Sequence, residues 1–169
     1  MMRARRIVGA AVVATAALLA SSCQSVPGGF AVASTHSGLA RPTSFDFAPD
    51  GRLFVGEKRG VVKTFDSLAD TTPTVFADLR TQVHNSNDRG LVGVVVDPAW
   101  PERPYVYVHY ARDALPGGTA PAYGAPGVDS DPCPEVDGLT NCPATVRVSR
   151  LEATEGGTTE TVLLDDVCH

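Results

Sequence analysis

Between Thr43 and Leu79 polar and apolar residues fall into four short runs separated by turn residues. Thr43-Ser44-Phe45-Asp46-Phe47-Ala48 alternates, Pro49-Asp50-Gly51 turns the chain, and Arg52-Leu53-Phe54-Val55-Gly56-Glu57 carries it back. Proline presets one backbone angle and glycine accepts the positive φ that the return needs, so Phe45 to Glu57 is expected to be a β-hairpin. Lys58-Arg59-Gly60 turns again into Val61-Val62-Lys63-Thr64-Phe65, and a polar loop from Asp66 to Pro73 leads to Thr74-Val75-Phe76-Ala77-Asp78-Leu79. The pattern predicts a four-stranded meander.

It then repeats. Asp88-Arg89-Gly90 leads into Leu91-Val92-Gly93-Val94-Val95-Val96, Asp97-Pro98 stops that run, and Pro104-Tyr105-Val106-Tyr107-Val108-His109-Tyr110 follows as its partner strand. The first of these runs has no polar position, so its strand is expected to be covered on both faces. The polar residues His84 to Arg89 then stand at the mouth of that interior, where loop-borne binding residues are expected. After one long insertion, Ala111 to Ala144, Thr145 to Leu151 and Glu160 to Asp165 complete a second set of four. Phe47-Ala48-Pro49-Asp50 set against Val95-Val96-Asp97-Pro98 gives a period of 48 residues, in the range of propeller blades. The expected fold class is all-β: the first two four-stranded blades of an incomplete β-propeller spanning residues 39–169. Two such units do not close a ring, and an ending on Asp165-Asp166-Val167-Cys168-His169 favours truncation. A sandwich of about eight strands is the competing fold.

The start of the chain stands apart. Arg3, Arg5 and Arg6 precede an uncharged run from Ile7 to Ala20, and Ser21-Ser22-Cys23 follows. A basic region, an apolar region and small residues before a cut make residues 1–22 a secretory signal, shorter than the roughly 20 apolar residues of a permanent span. Ala20-Ser21-Ser22-Cys23 resembles a bacterial lipobox, which makes Cys23 the expected acylated N-terminus. Cleavage nearby with simple secretion is the alternative. Residues 23–38 are small and polar without a sustained period and read as a flexible linker. The mature chain is expected outside the cytoplasm, held to the membrane by its lipid or secreted.

Charge and cysteines sharpen this picture. Losing the first 22 residues removes three arginines and no acid, taking the formal charge from −5 to −8. Such an acidic chain is repelled by phosphates and is not expected to bind nucleic acid. Cys133 and Cys142 lie nine positions apart in a Pro/Gly/Asp-rich stretch, where an exported protein is expected to form a disulfide. A zinc site would want closer pairs or nearby histidines, and neither is present, so none is expected here. Cys168 is left odd, to pair beyond the last residue or to displace one of the other two.

Other candidates are weaker. His84 and Asp88 have a His-x-x-x-Asp spacing, but the segment reads as a loop, and solvated loop residues are the expectation, a metal pair the alternative. Asp129, Asp131, Glu135, Asp137 and Asn141 crowd the insertion and could wrap calcium, yet they lack the alternation and closing glutamate of a calcium loop. An acidic solvated loop pinned by its disulfide is expected instead. Tyr105, Tyr107 and His109 share one face of their strand, with Val106, Val108 and Tyr110 on the other. The aromatic row could bind sugar rings, although packing of blade on blade is the expectation. No serine stands in a Gly-x-Ser-x-Gly elbow and no glycine-rich phosphate loop follows a strand, so neither a hydrolase triad nor a nucleotide site has support.

Four stretches together resemble the glucose/sorbosone dehydrogenase family, the soluble quinoprotein sugar dehydrogenases and their relatives. They are Gly38-Leu39-Ala40-Arg41-Pro42-Thr43, Phe47 to Val55, Asp88-Arg89-Gly90-Leu91-Val92-Gly93 with Asp97-Pro98, and Pro104-Tyr105-Val106-Tyr107-Val108. The resemblance implies a six-bladed β-propeller that holds pyrroloquinoline quinone, often with calcium, over its channel. It implies oxidation of the anomeric carbon of an aldose, a histidine acting as general base while hydride passes to the quinone, and an external acceptor taking up the electrons. Members with the cofactor commonly place a glutamine two residues before the glycine of the Gly-Leu-x-Gly run, where it touches the quinone. That position is Asp88 here. The family's catalytic histidine is expected beyond His169, so the 169 residues alone are expected to be inactive. A propeller of the same fold that binds carbohydrate or protein without redox chemistry is the alternative.

Overall fold

The computed structural model describes residues 26–33, 35–136, 139–140 and 142–168. The chain divides after Ala33. In the first unit, residues 26–33 form no strand, and their one turn is closed by the Phe30 N–H donating to the Pro27 carbonyl (3.1 Å). The signal sequence and Cys23 lie outside the described residues.

The second unit consists of two antiparallel sheets and a two-stranded ribbon, and among its described residues there is no helix. Strands β1 (Pro42–Phe47), β2 (Leu53–Glu57), β3 (Val61–Phe65) and β4 (Thr74–Asp78) follow one another as a meander. Gly51 adopts the positive φ of 91° that the Pro-Asp-Gly turn requires. Strands β5 (Leu91–Val96), β6 (Tyr105–Arg112), β9 (Thr145–Thr154) and β10 (Gly157–Cys168) form the second sheet in the order β10-β9-β6-β5. This is also a meander, interrupted once by the insertion. The insertion carries its own ribbon, β7 (Glu135–Val136) with β8 (Leu139–Thr140), which no period in the sequence announces. Strands β9 and β10 run past their expected ends because only Glu155 and Gly156 separate them, and the hairpin pairs residue by residue from Thr154 and Gly157 down to Ser149 and Val162.

The two sheets share one core. Phe54, Val62, Leu91, Val94, Val96, Trp100, Val106, Val108, Tyr110 and Leu151 are buried together, with the Phe54 ring edge-on to both Phe76 and Trp100 at 5.1 Å. Each large side chain so buried contributes roughly 1.5–3 kcal/mol. Val106, Val108 and Tyr110 supply the inward face of β6, while Tyr105 and Tyr107 are half-buried and His109 is exposed.

Strand β5 departs from its expected double coverage. Leu91, Val94 and Val96 are buried, but Val92 is 46 % and Val95 57 % exposed. A register shift between Leu91 and Gly93 brings these three residues onto one face. As the edge strand of its sheet, β5 packs that face against the first sheet, and nothing among the described residues covers the other.

Side chains of β1 bind the free edge of β5. Thr43 Oγ1 donates to the Leu91 carbonyl (2.6 Å), the Val94 N–H donates to Ser44 Oγ (3.0 Å), and the Val96 N–H donates to Asp46 Oδ2 (2.9 Å). Trp100 Nε1 donates to Asp50 Oδ2 (2.8 Å) in the same way. These partners are 48 or 50 residues apart, so the repeat seen in the sequence is the step from one sheet to the next.

Candidate functional site

The loop ahead of β5 is held from both sides. The His84 N–H donates to the Ala111 carbonyl and the Asp113 N–H to the Gln82 carbonyl, each at 2.8 Å, so residues 82–84 extend the edge of β6. At the other end the Leu91 N–H donates to the Lys58 carbonyl (2.9 Å), and Gly90 takes a φ of 143°. A Cβ on Gly90 would collide with that same carbonyl oxygen, so only glycine allows the loop to cross Lys58 this closely.

Between these anchors the loop rims a cleft of about 290 Å³ lined by Asp88, Arg89, Gly90, His109 and Ala111 among others. Asp88 and His109 are exposed. Gly93 lies against His109, whose Cβ would be 3.2 Å from a Cβ at position 93. The Arg89 guanidinium is turned onto the insertion: Nη1 donates to the Cys142 carbonyl and lies 3.3 Å from Cys142 Sγ. Arg89 is the one Lys or Arg among the described residues that line the cleft, and Lys58 nearby donates from Nζ to Asn85 Oδ1 (2.5 Å).

The expected disulfide is present, joining Cys133 to Cys142 with their Cα atoms 5.1 Å apart. It does not pin a merely solvated loop. Asp131 is 2 % exposed, and its Oδ2 accepts from the Asn85 N–H (2.7 Å). Asp129 is ion-paired with Arg59 (2.9 Å) and Arg80 (3.0 Å), and these partners hold its carboxyl below the usual range. Glu135 is exposed, and Asp137 and Asn141 lie outside the described residues.

His84, expected to be solvated, is fully buried, with Asp113 beside it also at 0 % exposure. The insertion folds back over the loop and covers both. His84 Nδ1 lies 3.4 Å from Asp113 Oδ1, Nε2 lies 3.6 Å from Cys133 Sγ, and the Tyr123 ring leans on the imidazole at 5.1 Å. Burial, with the charges of Arg89 and Lys58, pushes the His84 pKa down to about 4, so the ring is neutral near pH 7 and its contact with Asp113 is not an ion pair. Burial and the charge of Asp131 push the Asp113 carboxyl up to about 6, and burial also raises Asp131. Asp113 escaped the sequence reading. Its only signal was the charged pair Arg112-Asp113 at the point where an apolar strand enters the insertion.

The model of the family described as glucose/sorbosone dehydrogenase matches residues 39–125, half of the chain. The chain belongs to the glucose/sorbosone dehydrogenase family. No curated protein matches it. Solved structures share its fold, among them these two. One is a glucose dehydrogenase-type oxidoreductase from Thermus thermophilus, 23 % identical with a TM-score of 0.51, over 76 % of this chain and 29 % of that one. The other is the aldose sugar dehydrogenase of Streptomyces coelicolor in its pyrroloquinoline quinone-bound form, 14 % identical with a TM-score of 0.51, over 78 % and 32 %. The chain therefore spans less than a third of the length of these neighbours. The two sheets are two blades of a β-propeller, and Gly90-Leu91-Val92-Gly93 stands at the entry to the second.

Proposed function

We propose that these two blades belong to an exported quinoprotein that oxidises aldoses at the anomeric carbon and passes hydride to pyrroloquinoline quinone, from which an external acceptor takes the electrons. The observation that carries this reading is the cleft at the mouth of the second blade. Asp88 stands exposed on its rim two residues before Gly90, the position at which the family's cofactor contact is expected.

The blades offer the quinone a rim rather than a full binding site. The cofactor carries carboxylates, and the one arginine of the cleft is engaged by the Cys142 carbonyl. An anionic cofactor beside Asp88 would call for a compensating cation such as calcium, or for a proton on the carboxyl. Asp88 would orient that cation, and Arg89 holds the rim to the insertion. No step of the oxidation falls to these residues. The general base and the cationic contacts to the cofactor are assigned to other blades, in keeping with a histidine expected beyond His169. When bound, the quinone supplies the hydride-accepting chemistry.

One observation favours a second reading, a propeller that binds carbohydrate or protein without oxidising it: a carboxylate occupies the place of the family's neutral glutamine. Dye reduction by aldoses, followed while the protein carrying these blades is titrated with the quinone, separates the two readings. Export rests on the basic and apolar start of the chain, and anchoring on Cys23. A Cys23→Ala variant is expected to leave the membrane fraction, and unchanged fractionation would remove the anchor from the account.

A further inference from the structure

We propose that His84, Asp113 and Asp131 bind one zinc ion beneath the insertion. This site is separate from the cleft and does not depend on the quinone. One ligand atom from each of the three residues lies within 4.8 Å of the others, and all three side chains are at most 2 % exposed. His84 Nδ1 and Asp131 Oδ1 are buried without a hydrogen-bond partner, a costly condition in the absence of a ligand. If the Nε2–H points to Cys133 Sγ, the Nδ1 lone pair faces carboxylate oxygens, and lone pairs converge with no donor between them. A cation relieves that repulsion.

The spacing fits the ion. His84 Nδ1 and Asp113 Oδ1 are 3.4 Å apart, longer than the roughly 2.9 Å of a good hydrogen bond. Zinc bonds of about 2.0 to 2.2 Å place neighbouring ligand atoms of a tetrahedron roughly 3.3 to 3.6 Å apart. One neutral imidazole and two carboxylates balance a divalent charge, and the imidazole favours zinc over calcium or magnesium, which take oxygen ligands. The hydrogen bond from the Asn85 N–H to Asp131 Oδ2 and the Tyr123 ring against His84 fix two of the ligands from outside. Lys58 and Arg89, the nearby cations, are held by Asn85 and Cys142. The sulfurs of Cys133 and Cys142 are bonded to each other and supply no thiolate. Zinc at this point would tie the loop carrying Asp88 to the insertion and to the end of β6.

The test is metal analysis and zinc titration of the full chain with its disulfide intact, after stripping with a chelator. One zinc per chain is expected, with binding weakened by at least about 100-fold in Asp131→Asn and in His84→Gln. Asp129→Asn, outside the cluster, should bind as the unaltered chain does. Cobalt(II) needs no variant and is expected to give the intense visible bands of a tetrahedral N/O site. No zinc and no cobalt spectrum would overturn the proposal, as would calcium binding in preference to zinc. Binding that appears only after reduction, with thiolate-to-cobalt charge transfer, would assign the ion to the cysteines and also overturn it.

Discussion

Glu57 is the one carboxylate of the first blade with no exposure at all, and it organises the start of the fold. Its oxygens accept from the Ala40 N–H (2.8 Å) and pair with Lys63 (2.7 Å) and Arg59 (2.8 Å). Burial by itself would raise its pKa, but these three partners outweigh it and hold the carboxyl below 4.5. A folded pKa below the unfolded one gives stability that is present above pH 4.5 and is lost as the pH falls through the folded value. Glu57→Gln should therefore lose about 3 kcal/mol at pH 7, and its deficit should narrow as the pH drops below 4.5. Urea unfolding at both pH values measures this, and a pH-independent deficit would show that the charge is not what matters. The sequence placed Glu57 at the end of a strand and could say no more. Its partners, like the cover over His84, arrive from other parts of the chain, and a local pattern records only that a residue is polar. Gly90 was legible as the boundary of a strand, and the carbonyl it must clear was not.

At the level of elements, β1, β6 and β9 were legible because one face of each is more buried than the other and imposes a period of two, and the turn residues Pro49, Asp50 and Gly51 carry their own mechanism. The 48-residue repeat was legible for the same reason, and β1 side chains satisfy the edge of β5 at or close to that interval, 48 or 50 residues on. These bonds predict that Asp46→Ala will loosen one joint: a loss of about 1 to 2 kcal/mol and faster amide exchange at Val96, with little change in β3. Unaltered exchange at Val96 would mean that the blades do not rely on this contact. The insertion was not legible. It has no period, and beyond its nine-residue disulfide its order comes from Arg89 on Cys142 and from Asn85 meeting both Asp131 and Asp129, contacts that span 44 to 53 residues. The second cover expected on β5 is not supplied by the described residues, and Val92 and Val95 stay open on its outer face.

On the scale of the molecule, two blades leave apolar positions that a closed ring would cover. Phe45, Val92 and Val95 are exposed at 66, 46 and 57 %, and so are Leu163 and Leu164 at 52 and 50 %. Blades in a propeller each need a neighbour. The family could be recognised from four stretches, three of which sit at turns and blade entries, where backbone geometry restricts the residue, while the fourth runs into β6. The chemistry could not be read in the same way, because the resemblance puts the expected base beyond His169 and leaves only Asp88 of the expected cofactor contacts within the chain. The central claim is that the cleft at Asp88 serves a quinone-dependent oxidation of aldoses. It is tested most directly by reading the coding sequence past His169, producing the protein that carries these blades, and titrating it with pyrroloquinoline quinone while aldose-dependent dye reduction is followed. The account predicts saturable, quinone-dependent reduction. A folded propeller that neither binds the quinone nor reduces the dye would contradict it and leave a binding protein.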